Sequence, residues 1–334
     1  MKNLMIPALA LFLSAAAQAD DSPLWMRYCA ISPDGQTIAF SYQGDIYTVP
    51  SSGGKARQLT THPAHDTRPV WSPDGQKIAF ASNRSGNFDV FLMNKEGGEP
   101  KRLTTHSTNE YPTTFKDNGH VLYLANVSQD AKDIQFPGTR FMQVYEISTD
   151  GGRPDLYSSL YMENIALSKD GSKLLYNDYK GYEDPWRKHH QSSITRDIWL
   201  CTLGKDRSFQ KVTTFGGEDR NPVWAADGAS FYYLSEEKGS FNIFKKDLAG
   251  NSERQITTHT THPVRFLTSD NSGTLCYSYD GEIYTVKEGQ KPAKVNIQIV
   301  ADKIENDVIH RLMTDGATDI AVSPVSYTHL TLPT

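Results

Sequence analysis

A four-residue turn of the form Ser-Pro-Asp-Gly returns along this chain about every forty to sixty residues, and each copy leads at once into a short β-type run. It stands intact as Ser32-Pro33-Asp34-Gly35 and Ser72-Pro73-Asp74-Gly75. It degrades to Lys116-Asp117-Asn118-Gly119, Ser168-Lys169-Asp170-Gly171, Ala225-Ala226-Asp227-Gly228 and Thr268-Ser269-Asp270-Asn271. A period of that size belongs to repeat architectures, in which one supersecondary unit cannot bury its apolar faces alone and must stack on its neighbours. Most polar residues in such a chain serve the repeat.

The second unit shows the grammar. Arg68 to Trp71 reads as a strand, Ser72 to Gly75 as a turn, Lys77 to Ser82 and Phe88 to Met93 as two more strands. Glu96-Gly97-Gly98 turns the chain again, and Lys101 to His106 reads as a fourth strand. These runs are rich in Val, Ile, Phe, Tyr and Thr and are bounded by Gly, Pro, Asp and Asn. No mature segment carries the 3.6-residue period of a long helix. Four antiparallel strands, repeated six times, predict an all-β fold, a six-bladed β-propeller over residues 23–299. Each unit supplies its own strands in order, with Lys294 to Ile299 as the outer strand of the sixth. The ring is therefore expected to be open and non-interlocked, its seam held by side-chain packing without shared backbone hydrogen bonds.

Residues 1–19 read as a secretory signal: Lys2, an apolar core from Leu4 to Ala17, and the small-residue site Ala17-Gln18-Ala19. The core is too short to span a bilayer. Export to a periplasm or beyond is expected. The formal charge of −5 is mild, and Lys and Arg are scattered, so neither nucleic acid nor a membrane surface is an expected partner. Cys29, Cys201 and Cys276 have no CxxC spacing and read as small buried hydrophobes. Cys29 and Cys276 flank the seam, where a disulfide is conceivable.

Several candidate sites dissolve into the repeat. His62, His106 and His259 occupy one repeat position in different blades and cannot converge on one metal ion. Asp34, Asp74, Asp170 and Asp227 precede turn glycines, where a carboxylate accepts backbone N–H groups. Asp66 and Asp219, each ahead of a Pro-Val-Trp, fall near the channel mouth and read as turn caps more readily than as ligands. No motif asks for a cofactor, a metal or a catalytic residue. Two insertions depart from the template, 126–141 in blade three and 178–196 in blade four, both between second and third strands. Those loops share a face with the connections between blades. Long loops on a rigid scaffold commonly carry binding, so Trp186, Arg187, Lys188, His189 and His190 are the expected peptide or partner contacts. Ser192 and Ser193 beside His190 do not make a catalytic pair, because adjacency in sequence is not the geometry of a triad.

The repeat lacks the Trp-Asp dipeptide of eukaryotic WD40 repeats and resembles the bacterial TolB-like and tricorn-like unit. Pro23-Leu24-Trp25-Met26-Arg27-Tyr28, the segment from Gly181 to His190, and Glu218 to Trp224 resemble the first propeller of tricorn-like serine peptidases, over roughly residues 23–324. That resemblance implies a propeller that gates and channels peptides and docks in an oligomer. It also implies a second propeller, a PDZ-like module and a serine peptidase core as partners, with the catalytic residues in that core. Asp315 to Pro324 reads as the first strand of a further repeat after a linker, so 300–324 is assigned to both. Residues 325–334 match nothing upstream and resemble adapter read-through, which would make the chain a truncated product. The rival expectation is a TolB-like protein-binding scaffold without enzymatic role. A dipeptidyl peptidase IV-like propeller would need a downstream Gly-x-Ser-x-Gly.

Overall fold

The computed structural model describes residues 23–127, 141–181, 192–250 and 252–300. They form six four-stranded antiparallel sheets and no helix, the all-β six-bladed propeller that the repeat predicts. In blade two the strands are Asp66–Trp71, Lys77–Ser82, Asp89–Asn94 and Gly97–Arg102, from the inside outwards. The innermost strands of the others are Arg27–Ile31, Glu110–Asp117, Met162–Leu167, Asp219–Trp224 and Arg265–Ser269. Among the described residues no blade is completed by a strand from the other end of the chain, so the ring is non-interlocked.

Local chemistry explains why each unit folds alike. In the first turn the Ser32 hydroxyl donates to Asp34 at 2.5 Å, and the Gln36 N–H donates to the same oxygen at 3.0 Å. Gly35, at φ +74°, supplies the left-handed residue that ends the turn. Asp74 and Asp170 repeat the pattern through Ser72 and Ser168. These bonds hold Asp34 and Asp74 below the usual carboxylate range, and Ser168 takes Asp170 down to about 2. Burial works against Asp227, but its bonds from Ser230 and Ala229 still bring it to about 2. On the outer side, Oγ1 of Thr60, Thr104, Thr213 and Thr257 accepts the N–H of Ile46, Val90, Ile198 and Ile243 at 2.9, 2.9, 3.0 and 2.9 Å. A side-chain oxygen thus stands in for a strand carbonyl where the fourth strand peels away.

Two turns differ from their sequence reading. In blade three the inner strand runs through Asp117, which pairs with His120, so only Asn118 and Gly119 form the loop. An Asn-Gly pair suits that two-residue hairpin. In blade six the turn is Asp270 to Gly273, two residues later than Thr268 to Asn271; Thr268 and Ser269 still pair in the strand. Asp270 caps it by accepting the N–H groups of Ser272 and Thr274.

The seam needs a larger correction. Only Ala293–Lys294 completes blade six; the chain then crosses to blade one, where Ile297–Gln298 pairs in parallel with Gly54–Lys55. Gly54 N–H donates to the Asn296 carbonyl and Ala56 N–H to that of Gln298, both at 2.8 Å. Further in, Met26 N–H reaches the Gly281 carbonyl and Asn271 N–H that of Pro33. Backbone hydrogen bonds therefore do cross the seam. The cause is local: a Cβ on Gly53, at φ +90°, would sit 2.6 Å from the Asn296 carbonyl oxygen, so glycine there leaves an open backbone edge for the strap. Val295 and Ile297, alternating with exposed Asn296 and Gln298, sink into the cluster that also holds Met26, Cys29 and Phe40. Each buried side chain contributes about 1.5–3 kcal/mol.

Candidate functional site

Inner strands build the mouth of the channel, and a shared irregularity aims their side chains. In five blades the inner strand slips register by a bulge four residues before the turn begins. The residue there is left-handed: Tyr28 (φ +52°), Arg68 (+55°), Asn164 (+49°), Asn221 (+54°) and Phe266 (+56°). For Tyr, Arg and Phe that conformation is strained and persists only where surrounding contacts hold it. They do so from blade to blade. The rings of Tyr28 and Phe266 lie 4.5 Å apart, and the Arg68 guanidinium sits 5.4 Å from the Tyr28 ring and 4.2 Å from that of Tyr111. Asn221 exchanges two hydrogen bonds with the Leu267 backbone, while Asn164 donates to Asn177 at 2.7 Å.

At blades one to three this arrangement opens a cavity of about 550 Å³ on the face of the inter-blade and second-to-third-strand loops. Trp25, Arg27, Tyr28, Tyr42, His65, Arg68, Phe88 and Tyr111 are its larger lining residues, and among the described residues no carboxylate lines it. Trp25 is 70 % exposed, and Phe88 packs between the rings of His65 and Tyr111. The Ser41 hydroxyl also lines the cavity, buried and without a hydrogen-bond partner. Burial pushes the Tyr111 phenol above its ordinary pKa against the pull of Arg68, so it stays neutral. Arginine over aromatic faces offers a ligand both stacking and positive charge.

Blades four and five treat arginine differently. Arg196 contacts Glu163 at 2.9 Å and Glu218 at 3.1 Å, and Arg220 contacts Glu218 at 3.3 Å. Burial opposes charge on both arginines. Arg196, with two carboxylates, is nonetheless held above its ordinary value, whereas Arg220 is pulled below it despite Glu218. Arg220 also lies 4.2 Å from the Phe241 ring.

Trp186, Arg187, Lys188, His189 and His190 lie outside the described residues, as do 128–140 and 182–191 generally. The stems of both insertions are described and meet: Phe141 packs 4.9 Å from Tyr161 and 5.5 Å from Tyr179. Lys180 bridges the blade-four stem, donating to the Thr195 carbonyl at 2.6 Å and to Asp197 at 2.7 Å. Asp178 accepts from the Asp197 N–H and from Trp199 Nε1. Asp66 is fully buried and paired with Arg84 at 2.8 Å, and burial raises Asp219 to about 7. Of the three repeat histidines, His62 accepts the Ala64 N–H, His106 bonds Thr108, and His259 stacks on Tyr279 at 3.8 Å. The cavity residues themselves escape sequence reasoning. One signal was available: Tyr28, Arg68 and Phe266 are large side chains at a repeat position held elsewhere by Asn164 and Asn221.

A six-bladed propeller of Asp-Gly-turn repeats, with an aromatic–cationic cavity on one face, is the class that the described residues define. Residues 23–292 match the model of the tricorn protease N-terminal beta propeller domain, and the chain belongs to that family. A tricorn protease homolog of Saccharolobus solfataricus is 23% identical over 291 residues, covering 83% of this chain and 25% of the relative. Tricorn protease homolog 1 of Streptomyces coelicolor is 24% identical over 290 residues, covering 85% of this chain and 26% of the relative. The chain thus spans about a quarter of the length of these relatives. In fold, the crystal structure of the tricorn protease superposes with TM-score 0.68 at 22% identity, over 84% of this chain and 27% of that one. TolB from Acinetobacter baumannii superposes with TM-score 0.57 at 13% identity, over 79% of this chain and 61% of that one.

Proposed function

We propose that this chain is the N-terminal propeller module of an exported tricorn-like serine peptidase, and that it admits and docks peptides while hydrolysis takes place in a separate domain. The observation that carries the reading is the loop-face cavity of blades one to three. Strained Tyr28 and Arg68, exposed Trp25 and an acid-free lining are features of a surface built to receive a chain rather than to fill a core. A peptide with aromatic and acidic side chains suits it, through ring stacking and through Arg68. Family membership supports the link to proteolysis, and the described residues are propeller throughout.

Fluorescence anisotropy tests this with two labelled hexapeptides, one alternating Phe and Glu, the other alternating Phe and Lys. The acidic peptide should bind at least about tenfold more tightly, and Arg68→Ala should remove most of that preference. Equal affinity for the two peptides, or an Arg68→Ala protein that binds as wild type, would sink the assignment of the cavity.

A further inference from the structure

We propose that Cys29 and Cys276 are a disulfide-forming pair that covalently closes the propeller ring between its first and sixth blades. Cys29 lies on the inner strand of blade one, and Cys276 on the second strand of blade six, 247 positions along the chain (276 − 29). Both are fully buried in one packed cluster, at 1% and 0% exposure. Ser278 Oγ donates to Cys29 Sγ at 3.5 Å. Ser278 and Cys276 are two residues apart on one strand and so present their side chains to the same face, which sets the Cys276 thiol beside that of Cys29. Burial, with a further contribution from Cys29, raises Cys276 well above the ordinary thiol pKa. Both are free thiols in the structure. The strand that carries Cys29 is tied to the inner strand of blade six, on which Thr268 pairs directly with Cys276: Thr268 Oγ1 accepts the Ile31 N–H at 3.2 Å, and the Cys29 thiol donates to the Phe266 carbonyl at 3.4 Å. Cys201 is buried in another cluster, in blade four, and has no such neighbour among the cysteines.

The step balances as a thiol–disulfide exchange. Two thiols lose two protons and two electrons, one S–S bond forms between them, and a disulfide oxidant (a protein dithiol oxidase or a small disulfide such as glutathione disulfide) is reduced to two thiols. A buried, undissociated thiol is a poor nucleophile. Exchange therefore belongs to folding, before the seam closes. Afterwards the bond is shielded from reductants. The open ring makes the position meaningful, since the strap at Gly54–Lys55 adds only a two-residue parallel pairing, whereas a covalent link closes a very long loop of the unfolded chain. The proposal draws on the exported reading only for the source of oxidant in the cell, and the test is independent of it.

The full chain is unfolded and reduced, then refolded either with glutathione disulfide or with dithiothreitol, alkylated, digested and weighed. The oxidised sample should contain a peptide joining Cys29 to Cys276, two hydrogens lighter than its parts, with Cys201 alkylated. Its Tm should exceed that of the reduced sample by about 5 °C. Cys201→Ser should keep that increment, and Cys276→Ser should lose it. If a serine variant fails to fold, the oxidised and reduced wild-type samples still decide the matter. Alkylation of all three cysteines after oxidative refolding overturns the proposal, as does a cross-linked product that melts below the reduced protein.

Discussion

Two sectors of one face solve the same problem in opposite ways. At blades one to three, Arg68 rests on the rings of Tyr28 and Tyr111, and no carboxylate among the described residues lines its cavity. At blades four and five, Arg196 and Arg220 converge on Glu218, with Glu163 as a further partner, and all but Glu163 are under a tenth exposed. An arginine on an aromatic face keeps its charge available to a ligand. One enclosed by carboxylates has spent it on structure, and losing a partner is then costly. Both sectors are built from the same four-stranded blade, so side-chain identity separates an aromatic–cationic cavity from a sealed ion-pair network.

The largest effect that would test this contrast is on the sealed side. Glu218→Ala removes the carboxylate that buried Arg220 contacts at 3.3 Å and strips Arg196 of one of two, so unfolding free energy by denaturant titration should fall by about 3–5 kcal/mol. A loss under about 1 kcal/mol would mean that this network is no more structural than the cavity.

Next is a pH effect that both sectors share. Burial raises Glu110, at the inner strand of blade three, to about 7, with Asp89 beside it, and raises Asp219 in blade five to about 7. For a carboxyl raised on folding, the native state binds the proton more tightly than the unfolded chain does. Stability is then fullest near the unfolded pKa, about 4, and declines as pH rises to about 7, by on the order of 2 kcal/mol for each group. Glu110→Gln and Asp219→Asn should each flatten that decline in urea melts between pH 5 and 7.5. A slope unchanged in both variants would show that the buried carboxyls titrate normally.

The smallest effect lies on the receptive side. Arg68→Ala should change stability by no more than about 1 kcal/mol, the range of a cation–π contact that no buried acid depends on. A loss as large as that of Glu218→Ala would erase the distinction between the sectors.

The chain alone determined the blade count, the antiparallel order and the open ring. Each rests on interactions between near neighbours: Ser32 with Asp34, Thr60 with Ile46, a glycine at a left-handed turn. Such bonds are written within one repeat and recur in most blades: the threonine bond in four, the Ser–Asp turn bond in three. Only the tertiary structure decided where Asp270 caps its turn, how Ile297–Gln298 straps onto Gly54–Lys55, and which arginine meets a carboxylate. Those outcomes depend on side chains from different blades, tens or hundreds of residues apart, that become neighbours when the inner strands close into a ring. A repeat pattern makes equivalent positions look alike, so it conceals the contrast between Arg68 among rings and Asn164 or Asn221 among amides. The cavity, built from that contrast, became visible only once the blades stood side by side.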